Sequence, residues 1–288
     1  MSLAPVPLAP VTVSSLPGVN VLIIGPSGAG KTTAIKTLIA RGITPFCVFT
    51  EPGFEVLGDI PKEKLHWRYI PPASVGWDSM LDMSSKVRTY SFKSLTEVSD
   101  PNKSKFTQFE DLLRALNNFK CERDGKTYGD VCLWNTDRAL VIDSLTGVNI
   151  MAMALAVGGK PVRSQADWGI AQNIIENLVQ KLCTDTRCHM VLMAHAEREV
   201  DEVLGGSKVM ASTLGKKLAP KLPRFFSDVV LAVKDGTSFS WSTAAVGVDL
   251  KARNLPIQDN LPPDFGPIID SWKGKGGSLQ PSPAPKEG

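Results

Sequence analysis

Apolar positions along the chain fall into two patterns. Short, largely apolar runs at 21–24, 46–50, 139–142, 190–194, 228–233 and 246–250 are bounded by polar or glycine-containing sequence. Such runs predict strands buried on both faces. Between them, apolar residues recur at helical spacing. Phe109, Leu112, Leu113, Leu116 and Phe119 share one face, and Thr107-x-x-Glu110 ahead of them predicts a capping box. Ala171, Ile174, Ile175, Leu178 and Leu182 share another face, and residues 33–40 read as a further helix. Both stripes are read as core packing. Strands alternating with helices predict an α/β fold, a mostly parallel β-sheet flanked by helices.

The pattern fades at both ends. Residues 1–17 contain Pro5, Pro7, Pro10 and Pro17, which forbid a helix, and only Val11-Thr12-Val13 is strand-like. This segment is expected to be a flexible arm. Residues 18–256 are expected to form a single domain, with 71–137 as an elaboration on it. Residues 257–288 form an extension, disordered after about 273 because Gly, Pro, Ser and Lys dominate there. No internal repeat is visible.

Composition narrows the class without naming an activity. Hydrophobic residues make up 43% of the 288 residues and charged ones 21%, ordinary for a globular protein. A net charge of +3 is too small to imply a polyanionic partner, so any nucleic-acid surface must be a local patch. Cys47, Cys121, Cys132, Cys183 and Cys188 are odd in number and lack framework spacing, which suits reduced thiols and a cytoplasmic location. Cys183-x₄-Cys188-His189 has no second pair to complete a metal site and reads as structural thiols. No run is long enough to cross a membrane, and the N-terminus lacks the basic region of a secretion signal.

Chemistry enters at Gly25-Pro26-Ser27-Gly28-Ala29-Gly30-Lys31-Thr32, followed by Thr33. This is a G-x-x-x-x-G-K-[ST] loop between an apolar strand and a helix, the context in which the pattern binds phosphates. The glycines let backbone N–H groups turn inward, and the helix N-terminus adds partial positive charge. Lys31 reaches toward the β/γ-phosphates of ATP, and the Thr32 hydroxyl suits Mg²⁺. Asp143 ends the run at 139–142 and is the second metal candidate. Glu51 follows the run at 46–50 and is the candidate for activating water, ahead of Glu55 and Glu197. His195 follows the run at 190–194, where it could sense the γ-phosphate and signal to the segment after it.

That segment, 196–217, opens with Glu197, Glu199, Asp201 and Glu202 and later carries Lys208, Lys216 and Lys217. Lys221 and Arg224 follow beside Phe225 and Phe226. The cations suit a nucleic-acid backbone, whereas the early acids suit a solvated loop. Lys251 and Arg253, two residues apart after the run at 246–250, point the same way on an extended chain. They read either as surface charges or as cations for a neighbouring subunit's nucleotide.

The order of these motifs resembles the RecA-like branch of P-loop ATPases. More narrowly, it is similar to phage-encoded AAA-type, RecA-like proteins, some of which are single-strand annealing recombinases. The resemblance spans about residues 18–256 and includes the stretch 214–228. It implies ATP and Mg²⁺ as ligands, single-stranded DNA as a partner, a homo-oligomer, and a subunit-bridging role for Lys251 and Arg253. RecA-type recombinases carry glutamine where this chain has His195, and the chain is shorter than they are. Annealing or ATP-linked strand binding fits better than strand exchange. The other readings are a nucleotide or small-molecule kinase, and a non-catalytic switch recruiting replication or packaging proteins.

Overall fold

The structure is a computed structural model describing residues 15–98, 105–200, 206–215 and 217–287. The strand-like piece at 11–13 and Lys216 lie outside the described residues. Among the described residues nine strands form one sheet: β1 (Asn20–Gly25), β2 (Thr44–Phe49), β3 (His66–Tyr69), β4 (Arg138–Asp143), β5 (His189–Val200), β6 (Ser207–Ala211), β7 (Asp228–Asp235), β8 (Ser238–Ser242) and β9 (Lys251–Ala252). The helices are α1 (Lys31–Ala34), α2 (Lys36–Ile39), α3 (Trp77–Thr89), α4 (Phe92–Glu97), α5 (Gln108–Asn117), α6 (Leu145–Val157), α7 (Gln165–Asp185) and α8 (Gly266–Gly274). The strand order is β3-β2-β4-β5-β1-β7-β8. All pairs from β3 to β7 are parallel, while β6, β8 and β9 pair antiparallel with β5, β7 and β7.

The apolar strand runs follow from burial on two faces. Leu22, Phe46, Leu140 and Leu192 point to one side, where α5, α6 and α7 cover them. Val21, Cys47, Val141 and Val191 point to the other, against Ile35 and Leu38 and against Ile268, Ile269 and Trp272 of α8. The shared register sets Gly25 beside His195, and Asp143 beside both Phe49 and Met193. The carboxyl ends of β1, β2 and β4 therefore meet His195, within β5, at one rim, the place where a parallel sheet binds ligands.

Several expectations are corrected. Residues 246–250 do not form a strand: Val246 is almost fully exposed, Val248 makes one isolated bridge to Val209, and the strand that pairs with β7 is Lys251–Ala252. The Thr107 capping box is not made, because the Thr107 hydroxyl donates to Asp111 Oδ2 at 3.1 Å and caps no backbone N–H. A capping box forms instead at Ser164 and Asp167, ahead of α7. Leu113 is exposed rather than part of its helix's apolar face. The helix after the phosphate loop is interrupted at Ile35. Residues 196–200 and 207–211 pair as a two-stranded ribbon, in which Ala196 opposes Ala211 and Val200 opposes Ser207.

The C-terminal extension belongs to the domain, and disorder after about 273 is not what the structure shows. Phe265, Ile268, Ile269 and Trp272 join the core. Residues 275–287 then run as a strap along the start of β4. There Thr136 Oγ1 donates to Ser278 O at 2.7 Å, Arg138 Nη2 to Pro283 O at 2.6 Å, and Lys286 N to Thr127 O at 2.8 Å. Composition missed this because the strap is held by hydrogen bonds to its backbone, which its side chains do not advertise.

Candidate nucleotide site

The loop after β1 has the backbone that its glycines imply. Gly28 and Gly30 sit at φ 71° and 77°, conformations that a residue with a Cβ adopts only under strain. Gly25 is required for a different reason. A Cβ there would lie 2.7 Å from the carbonyl oxygen of Ala232 on β7. Lys31 is buried, and its Nζ donates to the carbonyl oxygens of Gly25 and Pro26, each at 2.8 Å. Burial pushes its pKa down, while Asp143 and Glu51 pull it back up. A phosphate would give this ammonium charged acceptors in place of neutral carbonyls.

The two metal candidates touch each other. Thr32 Oγ1 donates to Asp143 Oδ2 at 2.6 Å. Burial raises the Asp143 pKa, against the Thr32 hydrogen bond and the Lys31 charge. A buried carboxylate and a hydroxyl at the edge of a phosphate loop form the hard oxygen donor set that suits Mg²⁺. The donors present therefore fit that ion.

Glu51 and His195 meet as well. Glu51 Oε2 accepts from His195 Nε2 at 3.1 Å and from Ser144 Oγ at 2.8 Å. Ser144 also caps α6, accepting from Thr146 N at 3.2 Å. Thr50 fixes this tip: its hydroxyl donates to Ser144 O at 2.8 Å and accepts from Ser144 N at 3.0 Å. Residues drawn from three strand tips thus converge on one point. His195 O accepts from Ser212 N at 2.7 Å, so the base of the ribbon closes on the same residue. The lesser candidates Glu55 and Glu197 are exposed and make no contact with this cluster.

A cavity of about 620 Å³ opens over the phosphate loop, Glu51, Asp143 and His195, within the range of small-molecule sites. Phe54 and Phe239 line it too, and neither was anticipated. Phe239 arrives on the β7–β8 hairpin, whose two-residue turn Gly236-Thr237 has Gly236 at φ 56°, a hairpin signal present in the sequence. Lys234 on the same hairpin brings its Nζ beside Gly28. Ser144 and Thr50 carried no signal beyond their place at strand tips.

The other cations are spread elsewhere and mostly neutralised. Lys221 and Arg224 both pair with Glu176 of α7, at 2.8 and 2.6 Å, and hold its carboxyl below its usual pKa. Lys208 pairs with Asp249 at 2.6 Å, while Lys217 is exposed. Lys251 Nζ donates to Pro223 O at 3.0 Å and Phe226 O at 2.9 Å, which ties down the turn before β7. With Ala252 opposite Asp228, Lys251 and Arg253 stand at the end of the sheet away from the chain's own phosphate loop.

Against known proteins, a family model described as an AAA domain matches residues 18–242. No curated protein matches the sequence. Among solved structures, a prototypical ATPase from the type III secretion system of pathogenic bacteria is similar at 13% identity and a TM-score of 0.37. That likeness covers 76% of this chain and 53% of the other, so the chain spans about half the length of that ATPase. Among the described residues no helix is long and apolar enough to cross a membrane.

Proposed function

The chain belongs to the AAA-domain family, and on that premise we propose that it is a Mg²⁺-dependent ATPase whose turnover is coupled to single-stranded DNA. The observation that carries the ATPase reading is the convergence of Thr32 with Asp143 and of Glu51 with Ser144 and His195 beside one phosphate loop. Lys31 and the inward-facing loop amides hold the phosphates. Thr32 and Asp143 would hold Mg²⁺, which would supply charge neutralisation to the bound triphosphate. Glu51 has Oε2 committed to two donors, which leaves Oε1 to orient a water and take its proton. His195 bridges Glu51 and the foot of the ribbon, so loss of the γ-phosphate changes the hydrogen bonding at the base of 196–211.

The ribbon and the exposed Lys217 beyond it are where single-stranded DNA would lie. This reading fits annealing or recombination of the phage type, carried out by an oligomer in a bacterial host's cytoplasm. The pairing of Lys208, Lys221 and Arg224 with carboxylates favours a second reading. Here the same site drives a nucleotide-dependent switch whose ribbon engages a protein. Kinase chemistry has less support. Arg114 pairs with Glu110, and Arg123 donates to Leu65 O at 2.9 Å, so neither closes over the phosphate loop.

ATP turnover with and without single-stranded DNA tests the proposal. A rise on adding DNA is expected. ATP turnover that DNA leaves unchanged would overturn the DNA reading, tight ATP binding without turnover would favour the switch, and absence of ATP binding would overturn both.

A further inference from the structure

At the opposite end of the sheet from the phosphate loop, three side chains of different chemistry meet. His66 opens β3, pairs with Phe46, and stacks its ring on Phe46 with centroids 4.5 Å apart. Cys121 and Asp124 flank a turn that folds over it. One ligand atom from each of His66, Cys121 and Asp124 lies within 4.8 Å of the others, and His66 and Cys121 are fully buried.

The hydrogen bonding around them is incomplete in a specific way. The Tyr128 hydroxyl donates its proton to Asp124 Oδ2 at 2.7 Å. Toward His66 Nε2, 3.3 Å away, the same oxygen can then only accept. Nε2 therefore carries the ring proton, and Nδ1 keeps a bare lone pair. That Nδ1 is buried, has no hydrogen-bond partner, and stands 3.3 Å from Asp124 Oδ2. In this tautomer two acceptors face each other at 3.3 Å, an arrangement that either a proton on Nδ1 or a bound cation resolves. Cys121 Sγ accepts from Arg123 N at 3.3 Å and Asp124 Oδ1 from Lys126 N at 3.0 Å. Both contacts suit the anionic forms of these ligands and orient them from outside.

The geometry points to a zinc site formed by His66 Nδ1, Cys121 Sγ and Asp124 Oδ2, with water in the fourth position. A thiolate beside an imidazole selects zinc over magnesium or calcium. A dication with one thiolate, one carboxylate and a neutral imidazole sums to zero charge, which makes it tolerable in a buried place. Tetrahedral zinc holds its ligand atoms about 3.3–3.8 Å apart, so the longest separation closes by about 1 Å on binding. The turn that bears Cys121 and Asp124 also carries Thr127, which is paired with Lys286 of the strap. Zinc here clamps the edge strand, this turn and the C-terminal strap together. Arg123 and Arg138 stand nearby, so the affinity is expected below that of a site with four protein ligands.

The test is a titration of Co²⁺ into the full chain after chelator treatment, alongside metal analysis of protein purified without chelator. About one equivalent per chain is expected, with a thiolate-to-cobalt charge-transfer band that zinc abolishes by displacement. Cys121→Ser should remove the band, and His66→Gln should weaken binding at least about tenfold. ATP binding by each variant shows that it is folded, and the titration of the unaltered chain stands even if a variant is not. Chelation should lower the melting temperature without changing the affinity for ATP. Failure to bind a stoichiometric metal, or cobalt bound without a thiolate band, would overturn the site while leaving the nucleotide reading untouched.

Discussion

Glu51 is held by two donors, and each does a separable job. Glu51→Gln keeps the shape and removes the base, so ATP binding should persist while hydrolysis falls about 10²–10⁴-fold. Single-turnover measurements check this, and unchanged hydrolysis would assign the base elsewhere. Ser144→Ala removes one positioning hydrogen bond, about 1.4 kcal/mol, and should lower kcat about tenfold with little change in KM. Away from the site, His189 makes a pH prediction. Its Nδ1 accepts from Val19 N at 3.1 Å and its Nε2 donates to Thr136 O at 3.1 Å, so the neutral ring is fully used. Burial, which disfavours the charged ring, lowers its pKa from 6.5 to about 4. The folded value lies below the unfolded one, so this stability is present above pH 6.5 and is lost as pH falls toward 4. The loss is about 3 kcal/mol when complete. His189→Gln can accept and donate without titrating, so its denaturant midpoint should fall less between about pH 7 and about pH 4.5. Equal falls in both proteins would remove His189 as a cause. Lys31, Thr32, Glu51, Asp143 and His195 were legible because each sits in a loop pattern or just past an apolar run. Ser144 and Thr50 were not, because a hydroxyl that positions an acid looks in sequence like any helix cap.

At the scale of elements, the long parallel strands were legible from apolar runs alone, since burial on two faces leaves no polar position within them. Elements with one exposed side were not. The edge strand β3, the hairpin strand β8 and the ribbon strand β6 carry mixed polarity, and 246–250, interrupted by Gly247 and Asp249, makes a single bridge from Val248 to Val209 of β6. The junction of β4 and α6 depends on a contact that the sequence does not show. A Cβ at Gly147 would overlap the Thr50 hydroxyl, which clamps the backbone of Ser144. Gly147→Ala should therefore displace Thr50, loosen Ser144 from Glu51, and cost about 1–3 kcal/mol of stability. Its distinguishing sign is a drop in kcat larger than that of Ser144→Ala, with ATP affinity nearly unchanged. If kcat is preserved, the Thr50 clamp does not position the acid.

For the molecule as a whole, the proposal that single-stranded DNA lies along the ribbon is testable from the charge map. Single-strand binding through n phosphate contacts gives a salt slope of about 0.7 per contact. Lys217→Ala should therefore reduce both affinity and slope, and the pair Lys216→Ala with Lys217→Ala by about 1.4 if both contact phosphate. Lys221 and Arg224 are different, because both are tied to the Glu176 carboxylate, which leaves the trio a net charge of only +1. Replacing either with alanine should barely alter the slope. Replacing their partner should alter it in the opposite direction to the Lys217 variants: Glu176→Gln frees two cations and should tighten DNA binding and steepen its salt dependence. The carboxylate is mostly buried at the foot of both cations, so its loss is felt at 46% and 55% exposed side chains that can turn outward. Fluorescence anisotropy of a labelled single strand across a salt series, on the unaltered chain and Glu176→Gln, reads this directly. A steeper slope in the variant with DNA-stimulated turnover retained supports strand binding along this face. Identical slopes would move the DNA contact away from Lys221 and Arg224, and loss of all salt dependence in both proteins would leave the protein-engaging switch as the reading.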